Sequence, residues 1–489
     1  MLTVDEIKSF INADVGSILK RKAEEGQRYY DGLHDILEYR MFYWNADDNL
    51  VEDKSRSNAK IPHPFFTELV DQATQFVLSG AGDGIIMSDD EGLQKELDLY
   101  FNKNKRFMVE LSETITGMQA KGFDYMYAYI GKNDRLVFEN ADGLGVIEVE
   151  GRFAGDGKDQ RIYRYVDLID KNGNVQWKIL VVDDENTYYY KQTDNGEIEE
   201  DDDAEINPRP HAVYEKGGEL FTKEYKLLPF FRLDNNKKRK GLLDAVKALI
   251  DDYDMMASGL TNNLIDFDVP LYAVKGFEGD NLDQLQQNLK TKKMVGLDDE
   301  GGIEVHTIDV PYDARVAKLE LDEKNIYRFG MGLNMSGLKD TAATTNIAIK
   351  AAYSLLELRC NKIIDQVELF LQELVEAVIN EINAKQGTAY TLADVYFDFT
   401  PEIMSNAQEN AQNELTEAQR KQTEITTLLN LAAHLDNETL MELICEQLDI
   451  EYEEIKSKLP VPDEAQAEID AAQGALNDVP VEEVGGAVE

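Results

Sequence analysis

Three aspartates lie close together in one short stretch of the sequence: Asp251, Asp252 and Asp254. Carboxylate oxygens are the ligands that Mg²⁺ prefers, so this cluster is a candidate metal site for a nuclease or hydrolase. The surrounding residues follow a helical pattern, however, and positions i, i+1 and i+3 of a helix point in divergent directions. The spacing therefore favours a solvated acidic face over a shared ligand set, and a metal-dependent nuclease remains the less favoured alternative.

Histidine, cysteine and glycine patterns give no support to catalysis. His34 and His63 have no acid and nucleophile paired with them in the nearby sequence, which favours structural roles. The chain contains no G-x-x-x-x-G-K-[ST] phosphate loop, no H-E-x-x-H pair and no C-x-x-C pair. Cys360 and Cys445 are far apart, which is typical of a reducing compartment. We therefore predict a protein that is not an enzyme and that has no catalytic residue, metal or cofactor.

Basic residues cluster at three places in a strongly acidic chain. The 489 residues include 95 Asp and Glu against 50 Lys and Arg, a formal net charge of −45. That charge argues against tight binding of duplex DNA through its phosphates and against binding to an anionic membrane. The first group is Lys237, Lys238, Arg239 and Lys240, interpreted as a solvated loop with nucleic-acid contact as the alternative. The second is Lys290, Lys292 and Lys293, interpreted in the same way, with partner docking as a further alternative. The third place is a single cation, Lys339, in a glycine-flanked segment, and its residue type alone assigns it no role.

Long helices must position these residues. Apolar residues at steps of three and four predict a helix from Gly241 that ends before Pro270, where proline stops it. A second helix is predicted from Pro311 to about Phe329, and a very long one from about residue 346 to 384. The apolar face predicted for the long helix consists of Leu356, Cys360, Ile363, Val367, Phe370, Leu374 and Val378.

The rest of the chain predicts an α+β, mainly helical fold of two to four domains. Thr3 and Glu6 form a capping box for a helix that continues to about Glu25. Residues 199–203 are a charge block and are expected in a solvated loop. Beyond Leu459 the chain has eight acids and no Lys or Arg, which predicts disorder. Other predicted helices are 67–78, 92–102, 106–120, 406–430 and 437–450; predicted strands lie between 124 and 225, at 270–274, 293–297 and 302–308 (with a helix at 281–291), and at 394–399.

Several segments carry a resemblance to a known family by their order and spacing. They are Tyr29–Leu37, Asn58–Ile61, Leu69–Asp71, Leu78–Gly80, Gly122–Tyr125, Leu228–Phe230, Gly241–Tyr253 with Ser258 and Asn262, and Ser336–Lys350. Over residues 25–400 the chain resembles the portal proteins of tailed double-stranded-DNA bacteriophages, in the siphophage branch. It departs from that pattern at Leu338–Thr345, which is longer and richer in threonine.

The resemblance implies a ring, usually of twelve subunits, at one capsid vertex. DNA would enter through its channel during packaging by terminase and leave through it at ejection. The implied partners are the terminase large subunit, a head-completion or connector protein, the major capsid and scaffold proteins, and DNA that passes without specific binding, with no membrane. The protein would be part of the virion, assembled in the host cytoplasm. A phage scaffold or adaptor protein without a channel remains an alternative.

The resemblance also implies a division of the chain. The implied parts are a wing (1–235), a first stem helix (236–268), a clip (269–310), a second stem helix (311–333), a tunnel loop (334–345), a long wing helix plus strand (346–402), a crown (403–459) and an acidic tail (460–489). The implied tunnel-loop residues are Asn334, Met335, Ser336, Gly337, Leu338, Lys339, Asp340 and Thr341. The implied channel-wall acids are Asp251, Asp252 and Asp254. The implied clip docking surface is Lys290, Lys292, Lys293, Asp298 and Asp299, and the implied inter-subunit basic patch is Lys237, Lys238, Arg239 and Lys240.

Overall fold

The structure is a computed structural model of the chain. It describes residues 2–54, 56–80, 84–131, 134–153, 157–169, 175–193, 195–211, 213–216, 219–222, 227–267, 271–275, 302–306, 312–334, 346–399, 407–430 and 437–447. Several predictions therefore lie outside the described residues: the helix at 281–291, the strand at 293–297, the clip docking residues, Met335–Thr341 and the acidic tail. Residues 1–343 with 348–403 form one compact unit, and residues 344–347 with 404–489 form a second.

The N-terminal region contains two helices where the sequence predicted one. Helix α1 (Val4–Val15) begins with the predicted capping box, in which the Glu6 carboxylate accepts from the Thr3 backbone N–H at 2.8 Å. Helix α2 (Ile18–Tyr30) starts afresh because the Ser17 hydroxyl accepts from the Lys20 backbone N–H at 3.1 Å. The prediction of one helix to Glu25 is therefore wrong. A serine beside a glycine is a local stop-and-start signal that the apolar periodicity concealed.

Three further helices lie between α2 and residue 122. Helix α3 (Phe65–Leu78) buries Phe66, Leu69 and Val70. Helix α4 (Glu91–Leu97) continues into a π-helical turn at Asp98–Asn102. Helix α5 (Lys105–Lys121) ends at Gly122, whose φ of +93° favours glycine.

Antiparallel strands make up the middle of the chain. One three-stranded sheet has the order β14–β4–β5. A larger sheet has the order β10–β9–β8–β7–β6, with β11 on β9. The strands are β1 (Phe42–Trp44), β2 (Leu50–Glu52), β3 (Ile86–Met87), β4 (Phe123–Ile130), β5 (Leu136–Ala141), β6 (Val146–Val149), β7 (Gln160–Ile169), β8 (Val175–Val182), β9 (Asn186–Gln192), β10 (Ile198–Glu200), β11 (Arg209–Pro210), β12 (Val213–Lys216), β13 (Glu219–Thr222) and β14 (Phe230–Asp234).

The charge block at 199–203 differs from its prediction. Its first two residues belong to β10, and Asp201 is buried beside Lys178, with 2.8 Å between the carboxylate and the ammonium group. The prediction of a fully solvated loop is therefore wrong. Lys178 lies on β8, two strands away from β10 in the same sheet, and its ammonium group pairs with the one buried member of these five consecutive acids.

The long helices agree closely with their predicted bounds. They are α6 (Leu243–Phe267), α7 (Tyr312–Gly330) and α8 (Asn346–Gln386). Between α6 and α7, β15 (Leu271–Lys275) pairs antiparallel with β16 (Gly302–His306). After α8, β17 (Tyr396–Phe397) pairs with β3. None of the described helices is long and apolar enough to span a membrane.

The main hydrophobic core lies along α8. All seven residues of its predicted apolar face are buried, among helices α3 and α5 and strands β4, β5 and β14. A separate cluster joins α2, α3, α6 and α7 through Tyr29, Leu69, Val246, Ile250 and Ile326. The second compact unit contains α9 (Ala407–Asn430) and α10 (Asn437–Gln447), with Leu440 and Cys445 buried.

Candidate functional site

Helix α6 holds an extended segment of the chain through four evenly spaced polar side chains. We call residues 57–63 the arm, and Asp254, Ser258, Asn262 and Asp266 the ladder. The backbone N–H groups of alternate arm residues donate to successive ladder side chains. The four bonds are Ser57 to Asp266 (3.2 Å), Ala59 to Asn262 (2.6 Å), Ile61 to Ser258 (3.1 Å) and His63 to Asp254 (2.9 Å).

The ladder forms because two repeats have nearly the same length. Four helical residues advance about 6.0 Å, and two extended residues advance about 6.6 Å. Pro62 has no N–H, but it lies between two bonded positions and its missing donor is not required. The ladder therefore joins two of the segments that carry the family resemblance, the one at Asn58–Ile61 and the one with Ser258 and Asn262.

Asp254 is the most enclosed member of the ladder. Its side chain is fully buried, and its two oxygens accept from the Nδ1 atoms of His34 at 2.6 Å and His63 at 2.8 Å. Burial alone would raise the pKa of Asp254, but the hydrogen bonds from the two histidines outweigh it and lower that pKa below its ordinary value. The prediction that Asp254 is a solvated channel-wall acid is therefore wrong, while the structural interpretation of His34 and His63 agrees with these contacts.

The other two aspartates of the cluster have different partners. Asp251 accepts from the Tyr29 hydroxyl and lies 2.7 Å from the Lys247 ammonium group. Asp252 pairs with Lys318 of helix α7. Lys247 also pairs with Asp35 at 2.5 Å. Burial alone would raise the pKa of Asp35, but the hydrogen bonds from Lys247 and Arg28 outweigh it and lower that pKa to about 2.

The three carboxylates are thus divided among separate contacts and do not converge on one point. Within the described ranges, no group of three or more His, Cys, Asp or Glu side chains is arranged to hold a metal ion. The divergence expected from their helical spacing is present, and each carboxylate has at least one partner from another element, namely Tyr29 for Asp251, Lys318 for Asp252, and His34 and His63 for Asp254. A shared metal site at Asp251, Asp252 and Asp254 is therefore contradicted by the geometry.

A cluster of aromatic rings packs α6 against α7 and α3. The Phe65 ring meets the Tyr253 ring edge-on at 4.8 Å and the Tyr327 ring at 5.9 Å. The Tyr327 hydroxyl donates to Glu68 at 2.6 Å. These contacts bring together one side chain each from α3, α6 and α7. The N-terminal half of α6 and the C-terminal end of α7 therefore pack against α3.

The end of α7 is fixed at the point where the predicted tunnel loop begins. The Gln72 side-chain amide donates to the Leu333 carbonyl at 3.0 Å and accepts from the Leu333 N–H at 2.9 Å. Asn334, the first predicted tunnel-loop residue, donates to Glu323 at 3.2 Å. Asn334 therefore belongs to the anchored side of this junction, and the remaining predicted loop residues lie outside the described ranges.

Arg359 of helix α8 completes the junction. Its guanidinium donates to the carbonyls of Leu69 at 3.0 Å and Gly330 at 3.2 Å, and to the Gln119 side-chain oxygen. Burial lowers the pKa of Arg359 to about 10, so the group stays charged at neutral pH. One buried side chain thus connects α3, α5, the end of α7 and α8.

The predicted basic patch divides into two kinds of residue. Arg239 is paired within its own chain, with Glu148 at 3.0 Å and Asp234 at 3.5 Å. Arg239 therefore already has two acidic partners in its own chain. Lys237, Lys238 and Lys240 are exposed.

Sequence reasoning missed Arg359, Gln72 and Gln119. A signal was present for Arg359, which lies beside Cys360 on the apolar side of the long helix, where a charge requires buried partners. Gln72 and Gln119 are ordinary helical residues in the sequence, and only the packing of α3 against α5 and α8 gives them their contacts.

The chain is similar to phage portal proteins over most of its length. The model of the phage portal protein family of the SPP1 Gp6-like type matches residues 19–458. The portal protein of Bacillus phage SPP1 is 26% identical over 346 residues, which cover 69% of this chain and 65% of that protein. The portal protein of Clostridium phage phiCD119 is 22% identical over 441 residues, covering 84% and 88%. The solved neck of an empty GTA particle, computed with C6 symmetry, has a TM-score of 0.37 and 11% identity, covering 78% of this chain and 90% of that one.

The family match covers most of the chain, so this chain belongs to the SPP1 Gp6-like family of phage portal proteins. The resemblance found in the sequence is confirmed. The chain nevertheless aligns with only 65% of the length of the Bacillus phage SPP1 protein.

Proposed function

We propose that this chain is the subunit of a ring that forms the DNA channel at one capsid vertex. DNA enters through the ring during packaging by terminase and leaves through it at ejection. Membership of the phage portal family is the observation that carries this proposal. The chain performs no catalytic step in this role, and a ring of twelve subunits is the expected assembly.

The geometry of α6, α7 and α8 supports a channel. Two long helices lie side by side, and the segment 335–345 connects the fixed end of α7 to the start of α8. Gln72 and Arg359 hold the α7 end of that segment to the helical body. A segment held at a rigid base is suited to following the surface of passing DNA without moving the wall behind it.

The charge of the chain suits passage better than binding. A net charge of −45 repels phosphates and discourages tight adhesion of DNA to the wall. Asp251 and Asp252 are half-exposed and remain proposed wall residues, although each is already paired with a lysine. Lys339 is the proposed cation that touches phosphates transiently. Lys237, Lys238 and Lys240 are proposed to face acids of a neighbouring subunit.

The clip, residues 269–310, is the proposed docking end for the terminase large subunit and later for a connector protein. Its proposed contact residues are Lys290, Lys292, Lys293, Asp298 and Asp299. Contacts with the major capsid and scaffold proteins are proposed for the wing, residues 1–235. The assembled ring belongs to the virion and is built in the host cytoplasm.

Electron microscopy of the purified full-length chain tests the ring directly. Rings with a central hole support the proposal, whereas filaments or compact monomers contradict it and favour a scaffold or adaptor protein. The channel role is tested by Lys339→Ala, which we expect to leave rings intact and to reduce DNA packaging or retention in vitro. Lys324→Ala is the matched control, because Lys324 is an exposed cation on α7 outside the proposed loop. Equal packaging by wild type and Lys339→Ala rings would contradict the loop assignment.

A further inference from the structure

A two-stranded aromatic hairpin has partly exposed apolar side chains on both of its faces. Strands β1 and β2 pair with each other from Phe42↔Glu52 to Trp44↔Leu50, and in the described part of the chain neither pairs with a third strand. Phe42 is 52% exposed, Tyr43 46% and Trp44 68%, and Leu50 is 55% exposed. We call Phe42, Tyr43, Trp44, Leu50 and Val51 the hairpin patch.

Consecutive strand residues point to opposite faces, so an ordinary surface hairpin hides every second side chain. Here three aromatic residues in a row are exposed, which leaves apolar area on both faces. Each aromatic side chain offers about 150–250 Å², so half-exposure of three rings leaves several hundred Å². An apolar patch of a few hundred Å² is as large as the largest patch on a typical monomer, and patches of that size are often interaction surfaces. A two-stranded hairpin is also marginally stable in water unless something packs on it.

The hairpin is held in place at its base. The Asn58 side chain donates to the Tyr39 carbonyl at 3.3 Å, and Lys60 Nζ donates to the Leu37 carbonyl at 2.8 Å. Both donors belong to the arm, which the ladder fastens to α6. The hairpin patch is therefore presented at a defined place beside α6, as a docking surface requires.

The charge around the hairpin points to a second copy of the chain as the occupant. Residues 39–60 contain four basic and four acidic residues and have no net charge, although the whole chain carries −45. Two copies of so acidic a chain repel each other over most of their surfaces. An apolar, electroneutral patch is the place where a second copy approaches at least electrostatic cost.

The same chain has another uncovered apolar surface that suits a head-to-tail contact. Leu355, Leu358 and Leu369 are exposed on α8 and lie within about 60° of one another around the helix, nearly opposite its buried face. A ring requires two different patches on each subunit, since every subunit meets its two neighbours with different surfaces. The hairpin patch and this leucine stripe provide two such surfaces.

We propose that the hairpin patch is an assembly surface that a second copy of this chain covers in the ring. This inference rests on the proposed function and adds to it the surface through which neighbouring subunits meet.

The test compares a hairpin variant with a matched exposed aromatic elsewhere. The variant is Tyr43→Ser with Trp44→Ser, and the control is Phe153→Ser, because Phe153 is 61% exposed and lies outside the hairpin. Mass measurement by light scattering and electron microscopy report assembly, and circular dichroism reports folding. We expect the control to form rings like wild type and the hairpin variant to remain a folded monomer. Wild-type rings together with hairpin-variant rings of equal yield would overturn the inference, whereas a wild type without rings would overturn the proposed function instead.

A second measurement keeps the inference testable if the hairpin variant fails to fold. The chain has two tryptophans, Trp44 and Trp177. In a Trp177→Phe chain, Trp44 is the only tryptophan. We expect its emission to shift to the blue, and its quenching by iodide to fall several-fold, when subunits assemble into rings. Equal quenching in rings and in dissociated subunits would show that the hairpin stays uncovered, and the inference would be wrong.

Discussion

Removing one rung of the ladder should release the arm from α6. In Asn262→Ala, the Ala59 N–H loses the acceptor that now lies 2.6 Å away. An orphaned buried donor costs about 1–3 kcal/mol, and since Ala59 is half-buried, water replaces part of the bond. We therefore expect a local loss of about 1–2 kcal/mol, which corresponds to a factor of about 5–30 in the opening equilibrium of the arm.

Hydrogen exchange read out by mass spectrometry is the appropriate assay, because it reports local opening separately from global unfolding. Peptides that cover residues 57–63 should exchange about 5–30-fold faster in Asn262→Ala than in wild type. Two controls are matched to this change. Asn262→Asp keeps an acceptor oxygen and should stay close to wild type. Thr261→Ala removes a neighbouring polar side chain whose hydrogen bond, among the residues that the structure describes, stays within its own helix, to the Ala257 carbonyl, and it should leave the arm unchanged.

The reasoning would be refuted if exchange of the arm were the same in Asn262→Ala as in wild type. It would also be refuted if Asn262→Asp accelerated exchange as much as Asn262→Ala. The second outcome would mean that the amide nitrogen or the shape of Asn262 holds the arm, and not the acceptor that the ladder requires.

Two further predictions concern buried carboxylates. Gly117→Ala would place a Cβ 1.9 Å from the buried Asp124 carboxylate. We therefore expect the free energy of unfolding, measured in urea, to fall by about 1–3 kcal/mol. An unchanged unfolding midpoint would contradict this packing. Asp254 has a lowered pKa in the folded chain, so its stabilisation is full above the ordinary carboxyl pKa of about 4 and is lost as pH falls through the folded value. The stability advantage of wild type over Asp254→Asn should therefore shrink between pH 5 and pH 3, and an advantage that is constant over that range would contradict the contacts with His34 and His63.

Local pattern was sufficient to predict the long helices α6, α7 and α8. The bounds of α6 and α7 were found to within about two residues at each end, and the seven apolar residues of α8 are all buried. These predictions succeeded because periodicity in a helix depends only on neighbouring residues. The split between α1 and α2 was missed because one capping side chain, Ser17, overrode a continuous apolar pattern.

The candidate site was predicted less well, since its contacts join distant parts of the chain. Asp254 was assigned to the solvent because its helical neighbours are polar, yet its partners are His34 and His63, some two hundred residues away. Arg239 was assigned to a neighbouring subunit, although Glu148 of the same chain pairs with it. In both cases the residue type was noticed and the partner was not.

The sequence by itself determined the acidic character of the chain, its long helices and, through ordered motifs, its membership of the portal family. Composition and periodicity are local properties and require no knowledge of packing. Only the tertiary structure decided which charged side chains are buried and which are exposed. It also decided how the arm, α6, α7 and α8 contact one another. The ladder and the Arg359 junction each join residues that the sequence separates by about two hundred positions or more, and a hydrogen bond exists only once folding has brought its two groups together.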